Sequence, residues 1–125
     1  MGQVIFLKPY EILSESKLME YVHRINRHKP AAITAFAGTV FEIARHAKRK
    51  GLRPHRPRFS LSSVEMLCPM MRETIEEVFG CPVHDMYGAA ESGRVAAQCS
   101  DGKWNILSFH NHVEVVAEDG APTKP

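Results

Sequence analysis

AAITAFAGTVFEIARHAKRKG, residues 31–51, is the stretch whose reading decides the fold. Its opening, Ala31-Ala32-Ile33-Thr34-Ala35-Phe36, is an apolar run too brief for a helix and reads as a buried strand, ended by Gly38. A helix follows at once. Thr39 with Glu42 three residues on forms a capping box, Lys48, Arg49 and Lys50 fall in the last turn, and Gly51 is the stop. A buried strand that hands over directly to a capped helix is half of a parallel β-α-β unit.

Working outward, Ser14 to Lys29 places Leu18, Tyr21, Val22 and Ile25 on one helical face and Glu15, Lys17, Arg24 and Arg27 on the wet side, with Ser14 or Ser16 as the cap. Residues 1–13, with the apolar patch Val4-Ile5-Phe6-Leu7, read as an N-terminal extension. Downstream, the linker Arg53-Pro54-His55-Arg56-Pro57-Arg58 cannot continue a helix and leads into a strand, Phe59 through Val64. Pro69 suits the first turn of a third helix, whose core face is Met71, Ile75, Val78 and Phe79 and whose end is Gly80. Val83 to Tyr87 reads as a third strand, and Arg94 to Gln98 and Trp104 to Val116 as further strands around the turn Ser100-Asp101-Gly102, with Trp104 packing over the hairpin. The expectation is one α/β domain over residues 1–125, a short parallel β-α-β-α-β core followed by antiparallel hairpins. Its ligand sites should lie beyond the carboxyl ends of the strands.

Composition narrows the function classes. A chain of 125 residues, 44% hydrophobic, needs neither disorder nor a disulfide framework to explain it. A formal charge of +2 lacks the dense basic stripe of a nucleic-acid binder, and the basic stretch Arg45 to Arg58 is accounted for by helix-dipole complementation and a solvated linker. No secretory or membrane-spanning segment is visible, so the expected location is cytoplasmic. Cys68, Cys81 and Cys99 read as reduced thiols. Cys81, His84, Cys99, His110 and His112 are zinc-type ligands, but their spacing closes no tetrahedral site, and structural cysteine with exposed histidine outranks zinc. His110-Asn111-His112 is followed by no helix that would make it a nuclease metal site, and Glu73, Glu76 and Glu77 read as the solvated face of one helix.

The most informative turn is Asp85-Met86-Tyr87-Gly88-Ala89-Ala90-Glu91. An aromatic at a strand end offers a flat face to a base or ribose, the glycine permits close backbone approach, and the carboxylate is an oxygen ligand for magnesium. A plain turn with one exposed acid has the same pattern.

Tyr87-Gly88-x-x-Glu91 preceded by Asp85 resembles the adenylate-binding motif of the adenylate-forming (acyl-CoA synthetase-like) superfamily. The run Leu61-Ser62-Ser63-Val64-Glu65-Met66-Leu67, the helix Met71-Arg72-Glu73-Thr74-Ile75-Glu76-Glu77-Val78-Phe79-Gly80 and the strand Val83-His84-Asp85-Met86 are similar, in order and spacing, to the phenylacetate-CoA ligase and capsule-biosynthesis (CapK-like) branch. The resemblance implies that Ser63, Val64 and Glu65 border the adenine, that Asp85, Met86, Tyr87, Gly88 and Ala89 wrap the base and ribose, and that Glu91 is the catalytic carboxylate reaching magnesium. ATP or AMP and Mg are the implied cofactors; the implied substrates are a small-molecule carboxylate and coenzyme A. Val64 stands where the family usually has glycine, and Ala90 where a hydroxyl residue is common. The family's phosphate loop would lie upstream, and its ribose-gripping aspartate and lid domain downstream. The resemblance therefore implies an internal fragment of the large ATP-binding domain that does not complete the reaction alone. The alternative is a non-catalytic interaction module, possibly homo-oligomeric in the sense that a second copy covers surface the fragment leaves open.

Overall fold

The computed structural model describes residues 3–7, 12–109 and 111–123. Parts of the N-terminal extension, His110 and the last two residues lie outside the described residues. In chain order the elements are β1 (Val4–Phe6), α1 (Glu15–His28), β2 (Ala32–Phe36), α2 (Ala37–Arg49), β3 (Phe59–Ser63), α3 (Pro69–Phe79), β4 (Val83–Ala89), β5 (Gly93–Gln98) and β6 (Trp104–Ile106). The strands form one sheet in sequence order; β1 to β4 are parallel and β5 and β6 add as antiparallel strands.

Parallel strands laid down in order by crossovers of one hand put every connecting helix on the same face. Accordingly α2 packs between α1 and α3. The core lies between that helical layer and the sheet: Ile5, Ile33, Ala35 and Val83 from the strands meet Tyr21, Ile25, Val40, Ile43, Ile75 and Phe79 from the helices. The opposite face carries Thr34, Phe36, Leu61, Ser63, His84 and Met86, all only half-buried. Cys81 is buried beside the core, and burial, with Glu76 second and Arg56 opposing, pushes its thiol up to about 11, which makes it an inert cysteine.

The helix ends follow from local chemistry. Ser14 is the cap of α1, accepting the Lys17 N–H at 3.3 Å, and Lys29 closes it in the left-handed region. Pro69 opens α3 and Gly80, at φ +64°, ends it. On α3, Ile75 and Phe79 are buried and Met71 and Val78 pack beside them, as the periodicity predicts.

Four features differ from the sequence reading. Val4–Phe6 is a strand of the sheet, so the parallel core has four strands, with Ile5 and Leu7 inside it. The capping box is not formed: α2 starts at Ala37, which draws Thr39 into the core and leaves Glu42 to pair with Arg45 at 2.6 Å. The cap comes from elsewhere in the chain, for the Gly38 N–H donates to Glu65 Oε2 at 2.7 Å. β4 runs on through Gly88 and Ala89, past the expected end at Tyr87. Finally, the strand expected from Trp104 to Val116 stops at Ile106, because the chain turns back at once: Asn111 N–H reaches the Leu107 carbonyl, and its side-chain amide donates to the Arg94 carbonyl at 2.7 Å.

Arg72 joins the helical layer to the hairpin. Its guanidinium donates to the Val83 carbonyl and, at 2.5 Å, to Gln98 Oε1, spanning α3, β4 and β5. The Glu65 cap is a charge-assisted bond at a helix N-terminus. Glu65→Ala should therefore lower stability by about 1–2 kcal/mol and Glu65→Gln by less, read by chemical denaturation.

Candidate functional site

Two clefts open back to back at the carboxyl ends of β3 and β4, where the topology places ligand sites. The first, on the helix-covered side, has a volume of about 540 Å³ and is lined by Glu65, Met66, Asp85, Tyr87, Ala96 and Trp104. The second, about 510 Å³, is lined by Phe36, Ser63, Ala89, Ala90, Gly93 and Arg94. Val64, Met86 and Gly88 border both.

The alternation of β4 explains the division. Val83, Asp85 and Tyr87 point to the helical side and His84 and Met86 to the other, and beyond Tyr87 a bulge shifts the register so that Gly88 opposes Arg94. At Gly88 a Cβ would lie 2.3 Å from the Gly93 carbonyl oxygen, so glycine is required by the hairpin itself. Val64, the residue after β3, stands at φ +75°, 72% exposed, a left-handed conformation that strains a β-branched residue and that glycine adopts freely.

Asp85 is set into the sheet beside Ser62, its register partner on β3, whose buried hydroxyl has no partner among the described residues. Burial pushes the Asp85 carboxyl above its ordinary value, while the Met86 N–H, at 3.0 Å, and Arg72 act the other way. Tyr87 is 65% exposed, with its ring available to the cleft. Glu65 is also on the wall of the cleft, held by its bond to Gly38.

The residues singled out in the sequence are thus largely brought together. Glu65, Asp85 and Tyr87 line the first cleft, Ser63 and Ala89 the second, and Val64, Met86 and Gly88 their shared border. Glu91 lies in the exposed turn between β4 and β5 and lines neither cleft. Among the described residues no three His, Cys, Asp or Glu side chains gather in a metal-binding group. Cys99 is exposed and its sulfur accepts from Asn105 Nδ2 at 3.0 Å, while Cys81 is buried; His110 lies outside the described residues. Glu76 and Glu77 are engaged structurally, Glu76 Oε1 accepting the Val83 N–H at 2.9 Å and Glu77 pairing with Lys48 at 2.7 Å. Met66, Ala96 and Trp104 are lining residues that the sequence reading missed. The hairpin register would have found Ala96, which sits directly across from Tyr87. Trp104 stands on the hairpin strand β6, 49% exposed, and lines the cleft.

No family model matches the chain. Protein CapK of Staphylococcus aureus is similar over 90 residues at 24% identity, a stretch that covers 71% of this chain and 20% of CapK. Among solved structures, 2-hydroxyisobutyryl-CoA ligase in complex with 2-HIB-AMP and CoA aligns with a TM-score of 0.71 at 19% identity, over 94% of this chain and 26% of the ligase. A benzoate CoA ligase from Burkholderia xenovorans LB400 aligns with a TM-score of 0.67 at 15% identity, over 91% of this chain and 24% of that enzyme. The mixed six-stranded α/β fold is one that adenylate-forming CoA ligases contain. This chain spans about a fifth of CapK's length and about a quarter of the ligases'.

Two residues at the cleft border should respond oppositely to small substitutions. Gly88→Ala should cost about 2–3 kcal/mol, since its Cβ collides with backbone, whereas Val64→Gly should be neutral or stabilising by up to about 1 kcal/mol, strain relief outweighing the added freedom of the unfolded chain; urea unfolding measures both. Asp85 adds a pH signature. Its folded-state pKa lies above the unfolded one, so its contribution is most favourable at low pH, falls as pH rises through the carboxylate range, and remains unfavourable at neutrality. Asp85→Asn should raise the melting temperature at pH 7 and flatten that part of the pH profile.

Proposed function

We propose that this chain is a segment of the large domain of an AMP-forming acid–thiol (acyl-CoA) ligase and that it supplies adenine and ribose contacts to a site completed by other parts of the protein. The supporting observation is the cleft at the ends of β3 and β4: it gathers Glu65, Asp85 and Tyr87 on a fold shared with CoA ligases. The residues present fit a nucleoside. Tyr87 offers a flat exposed face, Asp85 and Glu65 offer acceptors at the rim, and Val64 to Met66 bring backbone alongside.

In this reading Ser63, Val64 and Glu65 border the base, Asp85, Met86, Tyr87, Gly88 and Ala89 enclose base and ribose, and Glu91, in the exposed turn outside both clefts, would offer a single oxygen ligand to Mg, the rest of whose ligands would come from the nucleotide and from other parts of the protein. ATP with its metal supplies an activated α-phosphate for attack by the substrate carboxylate, giving an acyl-adenylate and pyrophosphate before transfer to coenzyme A. The chain's own contribution is positioning and exclusion of water; the charge neutralisation that such a step needs falls to groups elsewhere. Segment and parent enzyme alike are proposed to act in the cytoplasm. No helix of the described residues is long and apolar enough to cross a membrane.

A second reading has a specific observation in its favour. The accessible surface, 8607 Å², exceeds the roughly 6,700 Å² expected of a compact monomer of 14.1 kDa, and one face of the sheet carries no helical layer. A non-catalytic module that buries this surface against a second copy would also account for it.

Calorimetric titration with ATP and magnesium separates the two. The ligase reading expects binding, with Tyr87→Ala weakening it about tenfold and Glu91→Ala removing its magnesium dependence. Absence of heat, together with a dimer in light scattering, supports the module instead.

A further inference from the structure

We propose that Trp104 is the second wall of the base cleft, forming with Tyr87 a clamp, floored by Ala96, that takes one planar heteroaromatic ring between two aromatic side chains. This rests on the nucleotide reading and adds the residue and shape that select the ring.

The clamp follows from the register of three strands. Tyr87 on β4 pairs with Ala96 on β5, and Ala96 pairs with Ile106 on β6. Trp104 lies two residues before Ile106 and directly across from Gln98, so it shares the face of Tyr87, Ala96 and Ile106. Strands that flank a common neighbour stand about 10 Å apart, and Trp104 is displaced by two residues, about 7 Å, along its strand, so the two side chains lean toward each other over Ala96 to leave the roughly 7 Å between faces that a ring stacked on both sides needs. The methyl group of Ala96 leaves that space open, and a longer side chain there would fill it. The lining of the cleft contains all three residues.

The far wall is held in place. Arg72 donates to Gln98 Oε1 at 2.5 Å, and Gln98 Nε2 donates to the Gly102 carbonyl at 2.8 Å, so the residue opposite Trp104 is tied both to α3 and to its own turn. The turn is closed again by Gly102 N–H on the Cys99 carbonyl and by Lys103 N–H on Asp101 Oδ1. Two large aromatics left exposed at 65% and 49%, facing one cleft from anchored strands, make a stacking platform that is organised before a ligand arrives.

Trp104 is the only tryptophan of the chain, so its emission reports the clamp directly. AMP and adenosine should quench it saturably, and ribose 5-phosphate, which has no ring to stack, should not. By calorimetry, Trp104→Leu should weaken AMP binding about fivefold or more and Trp104→Phe should restore most of the affinity. Ala96→Leu should abolish AMP binding while leaving the emission of a folded protein. If the native chain binds AMP and Trp104→Leu binds it equally well, or if Trp104→Phe is as impaired as Trp104→Leu, the clamp is overturned while the nucleotide reading stands. If the native chain binds no AMP at all, both fall together.

Discussion

The constraint on which the structure rests is that four parallel strands are laid down in sequence order by crossovers of one hand. That places α1, α2 and α3 on one side and obliges each helix to bury its apolar stripe against the same sheet face. It also aligns the carboxyl ends of β3 and β4 side by side, where the chain leaves the sheet through Val64 and through the bulged hairpin after Tyr87. The clefts are a geometric consequence of that alignment. A strand order with a switch would have spread helices over both faces and moved the crevice to the switch point.

Two long-range polar contacts convert this topology into a defined site. Glu65, from the loop after β3, caps α2 through the Gly38 N–H, and a Cβ at Gly38 would sit 2.9 Å from that carboxylate, so glycine there lets the side chain close on the helix end. Arg72 does the corresponding work on the other side by bonding both β4 and β5. Each contact fixes one wall of the first cleft, and each joins segments at least 11 residues apart in the chain. Neither is a local signal, which is why the sequence reading gave Glu65 a ligand role only and assigned α2 a cap from its own first turn.

What was legible in the sequence is what local physics decides. The stripe Leu18, Tyr21, Val22 and Ile25, the Pro69 start and the Gly51 and Gly80 stops all depend on neighbours within about one helical turn. β1 was not legible, because three residues joining a sheet edge become a strand only through a partner 28 positions later, Val4 with Ala32. The expected long strand after Trp104 failed for the converse reason: Val113, Val115 and Val116 have strand propensity, but Asn111 turns the chain aside and leaves them only the isolated Val116–Pro122 bridge. At the site, the β4 residues were found from their order along one strand, while Ala96 and Trp104 required the register of two further strands. Gly88 was singled out for close approach to a ligand; the structure adds a reason of the fold's own, the Gly93 backbone across the hairpin.

Several departures from local preference meet at the first cleft. Val64 holds a conformation suited to glycine, Asp85 carries a carboxylate in surroundings that disfavour its charge, and Tyr87 and Trp104 leave aromatic surface in water, all within one cleft. Elsewhere charged side chains pair on the surface and the helical stripes are enclosed, while single departures, such as exposed Ile12 and left-handed Lys29, stand apart from one another. Unfavourable ionisation and exposed rings are each costly, and both costs are relieved by a ligand that covers the rings and bonds to the carboxylate. That coincidence is the ground on which a binding cleft is proposed there in place of a plain turn with one exposed acid. It also bears on Val64: where a glycine would leave the border between the two clefts open, a β-branched side chain stands between them.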